Sequence, residues 1–156
     1  MELILWRHAE AEEGGLDSMR KLTHKGLKQA QTMAKWLKQR LPDETVVMAS
    51  PTMRTQQTAA ALKDDFQTIE EIGPGATAKA VLAAAGWSQG EGTVLIVGHQ
   101  PTLGQAAALI ISGTSAPWII RKGSIWWFLQ KEKRGDRGEV VGREIVLKAA
   151  ISPEMI

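Results

Sequence analysis

The order of predicted strands and helices along the chain indicates an α/β fold, a three-layer α/β/α sandwich with a mostly parallel sheet and an antiparallel edge strand. Short apolar runs rich in β-branched residues alternate with segments whose apolar residues recur every three or four positions. That alternation is typical of helices packed on both faces of a parallel sheet. Near the C-terminus, residues 124–129 and 142–147 are rich in β-formers and flank the charged stretch 131–138, which predicts an antiparallel hairpin at one sheet edge.

The N-terminal segment predicts a strand, a loop and a helix. Residues 2–6 are a short apolar run bounded by charges and form the first buried strand. Residues 9–22 contain Gly14-Gly15 and no apolar period, so we expect a loop. An amphipathic helix then begins at Thr23, its expected N-cap, and is stopped by Pro42.

A second strand–helix unit follows the same order. Residues 45–49 form the second apolar run. Ser50 is the expected N-cap of the next helix, with Pro51 at its first helical position, and that helix is expected to run to about Asp65.

The third and fourth units complete the alternation. Residues 67–72 predict a third strand, and an alanine-rich helix spans 77–85. The run 93–97 is entirely apolar after its first residue and predicts a buried strand. Pro101-Thr102 opens a helix whose apolar pattern extends to Ile111.

Length and composition narrow the class of protein. The 156 residues fit one domain spanning 1–156, because domains run to about 100–200 residues. Hydrophobic residues at 44% and charged residues at 23% are typical of globular proteins, and the absence of Cys excludes a disulfide framework and a thiol nucleophile. The N-terminus carries no signal-peptide pattern and no apolar run approaches the roughly 18 residues of a membrane span, so we expect a cytoplasmic protein without a membrane partner. The net charge of +2 is small, which does not require a nucleic-acid partner, and a monomer is expected.

Four basic residues are expected to meet at one edge of the sheet. Arg7 and His8 follow the first strand, Arg54 lies in the first turn of the helix after the second, and His99 follows the strand 93–97. Ligands of open parallel sheets bind at the carboxyl ends of the strands. The sequence therefore predicts that these four side chains converge on one site.

Two arginines and two histidines around one point favour phosphoryl chemistry. Guanidinium groups bind phosphate oxygens through paired donors, and the amides at the start of a helix also favour an anion. A neutral imidazole is a competent nucleophile toward phosphorus, and on chemistry alone either His8 or His99 could attack. A zinc site is disfavoured, because His-Glu-x-x-His is absent and no two histidines share a helical face.

The same residues carry a family resemblance. The motifs are Arg7-His8-Ala9 after the first strand, Ser50-Pro51 with Arg54-Thr55 and Thr58, and Gly98-His99 after a Val-Leu-Ile-Val strand. Their order and spacing resemble the histidine phosphatase superfamily, also called the phosphoglycerate mutase-like superfamily.

Further motifs indicate a branch of that superfamily. Asp17-x-x-Arg20-x-Leu22-Thr23-x-x-Gly26, Val97-Gly98-His99-x-Pro101 and the short chain resemble the bacterial SixA-type phosphohistidine phosphatases. The resemblance spans most of the chain and weakens after Gly113.

The resemblance implies roles for the four basic residues. His8 is the nucleophile and becomes transiently phosphorylated, while Arg7, Arg54 and His99 complete the phosphate pocket. Water then hydrolyses the phosphoenzyme, and neither a metal nor another cofactor is expected.

Two more residues are predicted to bind substrate. Ser50 belongs to the motif that precedes Arg54. Arg20 begins a stretch to Arg40 that contains seven basic residues and neither Asp nor Glu. Such a stretch is usually a solvated helix face, and its functional interpretation is a docking surface for an acidic partner, with Arg20 the member expected to approach the pocket.

The substrate class is inferred from a missing acid. Ala9 stands where the superfamily signature has Gly, a mild change, and no carboxylate occupies an obvious general-acid motif between Arg54 and His99. An alkoxide leaving group needs a proton, whereas imidazole, with a conjugate acid of pKa about 6.5, needs little help. The gap therefore favours P–N substrates, although a proton could still come from Glu10, Glu12, Glu13, Glu70 or Glu71.

Three functions follow from these observations. We predict a metal-independent phosphatase that hydrolyses phosphohistidine on a protein, such as a histidine phosphotransfer domain of a signalling system. The alternative enzyme is a small-molecule phosphomonoesterase or a phosphoglycerate mutase-like enzyme. A non-catalytic phosphoprotein-binding module ranks below both, because a binder does not need a histidine placed to attack phosphorus.

Overall fold

The computed structural model describes residues 1–156 and contains six strands and four α-helices, which confirms the predicted α/β class. A helix with the length and hydropathy of a membrane span is not present. The strands are β1 (Glu2–Arg7), β2 (Val46–Ala49), β3 (Gln67–Thr68), β4 (Thr93–Gly98), β5 (Ile125–Arg134) and β6 (Val140–Ile151). The helices are α1 (His24–Lys38), α2 (Met53–Leu62), α3 (Ala78–Ala84) and α4 (Thr102–Ser112).

All six strands belong to one sheet in the order β3-β2-β4-β1-β5-β6. The four strands from β3 to β1 are mutually parallel. Strands β5 and β6 form a hairpin that joins the sheet antiparallel to β1. The predicted mostly parallel sheet with an antiparallel edge is therefore confirmed.

Register along the parallel strands places their carboxyl ends at the same level. Arg7 pairs with Gly98 and Ala49 with Val97, so β1, β4 and β2 end side by side. The chain leaving each strand consequently enters one shared region above the sheet edge. This is the position where open α/β sheets bind ligands.

Alternating side chains of β1 enter two separate cores, one on each face of the sheet. Leu3 and Leu5 pack with the residues of α3 and α4, whereas Ile4 and Trp6 pack with those of α1 and α2. All four are fully buried, and burying such side chains contributes about 1.5–3 kcal/mol each to stability. Burial on both faces holds β1, and hence its C-terminal end, in one position.

The start of α2 differs from the sequence prediction. We predicted Ser50 as N-cap and Pro51 as first helical residue, but Thr52 is the N-cap and the helix begins at Met53. The Ser50 hydroxyl is hydrogen-bonded to His99, and the Ser50 carbonyl accepts hydrogen bonds from the side chains of Thr55 and Gln56 in the first turn. Arg54 still lies in the first turn.

Other boundaries also moved. Helices α1 and α2 end at Lys38 and Leu62, before the predicted limits. Lys63 has an extended backbone, which ends α2. The predicted strand 67–72 is reduced to β3, and its second half is a 3-10 turn. The predicted loop 9–22 contains a bridge between its ends and a 3-10 turn at Asp17–Met19.

The hairpin strands are longer than expected. The charged segment that we predicted as their connection largely continues β5 to Arg134, where it pairs with Val140. Cross-strand pairing of exposed charged and β-branched residues extends the ladder beyond the part that packs on the core.

Candidate active site

The structure brings the four predicted basic residues to one place. Arg7 is the last residue of β1 and His8 follows it, while His99 follows β4. The ring centroids of His8 and His99 lie 5.4 Å apart. Arg54 Nη2 lies 3.5 Å from His99 Nδ1, at the outer limit of a hydrogen bond. Both imidazoles and the Arg54 side chain are buried.

Backbone contacts hold the His8 segment at the sheet edge. The His8 N–H donates to the Gly98 carbonyl at 3.1 Å, and the Ala9 N–H donates to Thr58 Oγ1 at 3.2 Å. Helix α1 approaches the same segment so closely that a Cβ on Gly26 would lie 1.9 Å from the Glu10 carbonyl oxygen. Only glycine permits that approach, which explains the glycine in the motif of the 17–26 segment.

The hydrogen bond of His8 assigns its tautomer. Nδ1 lies 2.7 Å from the Ala9 carbonyl oxygen, which can only accept, so Nδ1 carries the proton. In the neutral ring Nε2 then holds the lone pair. His8 therefore presents Nε2 as a nucleophile.

The contacts of His99 commit both of its ring nitrogens. Its Nδ1 faces the Arg54 guanidinium, which can only donate, so Nδ1 accepts. Its Nε2–H then donates to Ser50 Oγ at 2.7 Å. Of the two histidines, only His8 has a ring nitrogen whose lone pair is free. The structure therefore favours His8 as the nucleophile, whereas chemistry alone allowed either histidine.

Burial keeps both imidazoles neutral. Loss of hydration lowers the pKa of His8 to about 4; the Ala9 hydrogen bond opposes that effect, and the charges of Arg54 and Arg7 add to it. Loss of hydration likewise lowers the pKa of His99 to about 3, assisted by His8 and Arg54. At neutral pH the site therefore contains two neutral rings and two guanidinium charges.

We expect NMR titration of the imidazole carbons to show His8 with a midpoint near pH 4 and His99 with one near pH 3. The unfolded chain's imidazoles bind protons at about pH 6.5, so the free energy of unfolding should fall as the pH is lowered from there to about 3, where His99 is the last to be protonated in the folded chain. His8→Gln and His99→Gln assign the signals. A midpoint above pH 6 for either residue would contradict the buried neutral state.

Asp17 is a site residue that the sequence analysis did not single out. Its backbone carbonyl accepts from Arg54 Nη1 at 2.8 Å, and its carboxylate contacts Arg54 Nη2 at 3.2 Å. The same carboxylate pairs with Arg20 at 3.1 Å. Hydrogen bonds from Arg20 and then Arg54 lower the pKa of Asp17, so the carboxylate is ionised. The available signal was the 17–26 motif, which we used only as a resemblance.

Arg7 and Arg54 retain donors that fit an oxyanion. Arg7 donates through Nη1 to the Ile120 carbonyl at 3.0 Å, and Arg54 is held by Asp17. The Nε–H groups of both arginines are buried without a hydrogen-bond partner. Leaving such a donor unpaired costs about 1–3 kcal/mol, which a phosphoryl oxygen bound there would offset.

The two predicted substrate-binding residues lie in different surroundings. Ser50 is fully buried beside His99, and its hydroxyl contacts that ring. Arg20 lies farther out and bonds to Asp17 and to the Glu12 carbonyl. The geometry gives Ser50 a positioning role toward His99 and places Arg20 at the rim, while substrate contact by either stays a prediction.

Ser50→Ala should lower kcat by about tenfold and leave KM within about twofold, because the buried His99 Nε2–H loses its acceptor at a cost of ~1–3 kcal/mol. Steady-state kinetics measure this split. Ser124→Ala is the matched control, since Ser124 is also buried and its hydroxyl bonds Ser152 Oγ at 2.7 Å. A rise in KM at constant kcat would instead indicate direct substrate contact by Ser50.

Metal ligands are not grouped in this protein. No cluster of three or more His, Cys, Asp or Glu residues could hold a metal ion. The positive charge around His8 comes from Arg7, Arg54 and, more distantly, Arg20.

Part of the chain matches a known protein family. Residues 3–73 match the family model of the histidine phosphatase superfamily, branch 1. The matched range contains Arg7, His8, Asp17 and Arg54, while His99 lies beyond it.

Individual relatives agree with that family. The phosphohistidine phosphatase SixA of Escherichia coli (strain K12) is 29% identical over 126 residues, which cover 75% of this chain and 78% of that protein. The structure of the protein histidine phosphatase SixA complexed with tungstate matches with a TM-score of 0.78 at 25% identity and covers 99% of both chains.

A more distant structure shares the fold alone. Phosphoserine phosphatase from Entamoeba histolytica, in complex with 3-phosphoglyceric acid, matches with a TM-score of 0.67 at 17% identity, over 97% of this chain and 96% of its own. The fold therefore occurs in proteins named for different phosphorylated substrates, and the substrate of this chain has to be argued from its site.

Proposed function

We propose that this chain is a phosphatase of the histidine phosphatase superfamily and that its substrate is phosphohistidine carried on a protein. The observation that carries the proposal is the protonation state of His8 and of Asp17, the carboxylate that contacts Arg54. His8 offers an unprotonated Nε2, and Asp17 is ionised and committed to arginines. A phosphotransfer domain of a signalling system is the kind of substrate protein that presents such a group.

The first step is nucleophilic attack by His8. The Nε2 lone pair forms a bond to phosphorus while the P–N bond to the substrate imidazole breaks. The Nδ1–H bond to Ala9 keeps the ring oriented and stabilises the positive charge that the ring acquires. The product is a phosphohistidine on the enzyme.

Arginine donors stabilise the transferring group. The unpaired Nε–H groups of Arg7 and Arg54 are available for phosphoryl oxygens, and the two guanidinium charges offset the charge of the transition state. In the similar SixA structure the bound molecule is tungstate, itself a tetrahedral oxyanion. Water then attacks phosphorus, the P–N bond to His8 breaks, and inorganic phosphate leaves with the water oxygen.

The leaving group distinguishes P–N from P–O substrates. A phosphohistidine protonated at its other ring nitrogen departs as neutral imidazole and needs no proton from the enzyme. An ester departs as an alkoxide and does need one. The carboxylate that contacts Arg54 is that of Asp17, whose lowered pKa makes it a poor proton donor at neutral pH. This favours phosphohistidine over ester substrates.

Exposed apolar side chains near the site favour a protein substrate. Leu16 and Met19 flank Asp17 in the chain and are 71% and 58% exposed. Ile119, next to the Ile120 carbonyl that Arg7 contacts, is 73% exposed. Exposed apolar side chains next to charged residues are typical of surfaces that contact other macromolecules.

A substrate panel tests the proposal. Release of phosphate is measured from a phosphohistidine-bearing phosphotransfer domain, a phosphoserine peptide and p-nitrophenyl phosphate, with EDTA present. We expect kcat/KM for phosphohistidine to exceed that for the phosphoserine peptide by about 100-fold or more, since general acid catalysis is worth roughly 10²–10⁴-fold. The p-nitrophenolate group leaves without a proton, so p-nitrophenyl phosphate should be hydrolysed faster than the phosphoserine peptide.

An enzyme-free reaction is the control for spontaneous loss of the labile phosphate. Turnover of the phosphoserine peptide that equals or exceeds phosphohistidine turnover would replace the proposal with a phosphomonoesterase. A stoichiometric complex without turnover of any substrate would replace it with a phosphoprotein-binding module.

A further inference from the structure

A basic cleft of about 710 Å³ adjoins the phosphoryl site. Arg7 lines it and is also one of the two arginines beside His8. Its other cations are Lys25 and Lys28 of α1 and Arg121 and Lys122 of the loop before β5. Arg7 therefore belongs to both the cleft and the phosphoryl site.

Cations outnumber carboxylates in the basic cleft by five to two. Both carboxylates already have partners, because Glu154 pairs with Arg121 at 2.9 Å and Glu10 accepts the Thr23 hydroxyl at 2.8 Å. The lysines of the cleft form no ion pair within the chain. These are Lys25, Lys28 and Lys122, and all three are exposed.

Both walls of the basic cleft are fixed relative to His8. The α1 wall is anchored where Gly26 packs against the Glu10 backbone. The loop wall is anchored where the Gly123 N–H donates to the carbonyls of Arg7 and His8, at 3.2 and 3.1 Å. An anionic ligand in the cleft would therefore lie at a defined distance from the phosphorus.

We propose that the basic cleft binds an acidic segment of the substrate protein that lies next to its phosphohistidine. This inference rests on the proposed function. It specifies that the substrate protein is negatively charged next to its phosphohistidine. The unpaired lysines attract the acidic segment. Arg7 lines the cleft and lies beside His8, so the segment and the phosphoryl group are bound side by side.

The composition of the basic cleft favours a protein over a nucleic acid. Its lining mixes five cations with two carboxylates, which matches a protein surface of mixed charge. Ile119 stands at its edge with most of its side chain exposed, which gives an apolar contact beside the charges. A polar edge with one apolar anchor is typical of a protein contact.

Paired peptides test the inference. Two phosphohistidine peptides of equal length are compared, one with four Glu and one with four Gln flanking the phosphorylated residue. We expect kcat/KM for the Glu peptide to be roughly tenfold higher at low salt, through KM, and the preference to shrink as ionic strength rises. Lys25→Gln/Lys28→Gln should reduce this preference to about twofold and leave turnover of the Gln peptide unchanged.

The same helix provides a matched control. Lys35 and Lys38 have the spacing of Lys25 and Lys28 and are also exposed, but they lie at the other end of α1, about 15 Å away at 1.5 Å per residue. Lys35→Gln/Lys38→Gln makes the same change in net charge. It should retain the preference for the Glu peptide.

The outcomes separate this inference from the proposed function. Equal hydrolysis of both peptides, or the same loss of preference in both double variants, would overturn the acidic subsite and leave the phosphatase intact. Hydrolysis of neither peptide would overturn the proposed function. Displacement of the Glu peptide by a single-stranded oligonucleotide at equimolar concentration would show a nucleic-acid site in place of the proposed one.

Discussion

His8→Ala should reduce phosphatase activity by roughly 10⁴-fold or more, because removal of a catalytic nucleophile costs that much in enzymes that form covalent intermediates. The loss should appear in kcat, since the arginines that hold the phosphoryl group remain. Single-turnover release of phosphate from a phosphohistidine protein measures it. Denaturation and inorganic phosphate binding establish that the variant is folded and that its anion site is intact.

Trapping of the phosphoenzyme identifies which histidine attacks. Wild type quenched within one turnover should carry alkali-stable, acid-labile phosphate, and His8→Ala should carry none. His99→Ala should still become labelled, only more slowly, because His99 commits both ring nitrogens to Arg54 and Ser50. Label that persists in His8→Ala and disappears in His99→Ala would reverse the assignment of the nucleophile.

Gly104→Ala should lower the free energy of unfolding by about 3 kcal/mol, the upper range for forcing a methyl group into a packed interior. A Cβ at Gly104 would lie 1.7 Å from the Trp118 carbonyl oxygen, so the backbone of that loop would have to move. Alanine recovers about 1 kcal/mol of helix propensity, which is too little to compensate. Urea denaturation measures the difference.

Gly104→Ala should also change the position of Arg7 in the site, although Gly104 itself lies outside the site. The displaced segment leads to Ile120, whose carbonyl holds Arg7 Nη1 at 3.0 Å. Gln105→Ala, at the next position of α4, is the control and should change stability by less than about 0.5 kcal/mol. Equal unfolding midpoints for the two variants would show that the loop accommodates the methyl group without cost.

Much of the architecture could be predicted from local patterns. The strands β1, β2 and β4 are short apolar runs, and Thr23 caps α1 as its position suggested, with its hydroxyl accepting from the Gly26 N–H at 3.0 Å. The errors fell at element ends. Ser50 has the local preference of an N-cap, but its hydroxyl is hydrogen-bonded to His99, a residue 49 positions away.

The sequence by itself determined that Arg7, His8, Arg54 and His99 would lie together, because parallel strands end at one edge of their sheet and each residue follows such an end. It could not separate the two histidines as nucleophiles. That decision depends on which atom faces each ring nitrogen, and the partners are the Ala9 carbonyl on one ring and Arg54 with Ser50 on the other.

Tertiary structure alone decided the role of Asp17 and the shape of the basic cleft. Asp17 reaches Arg54 across 37 positions, and the cleft joins α1 to a loop roughly a hundred residues later in the chain. Hydrophobic periodicity predicts which face of an element is buried, and capping residues predict where a helix begins. They do not record which distant side chains meet, because such contacts follow from the packing of the whole sheet and its helices.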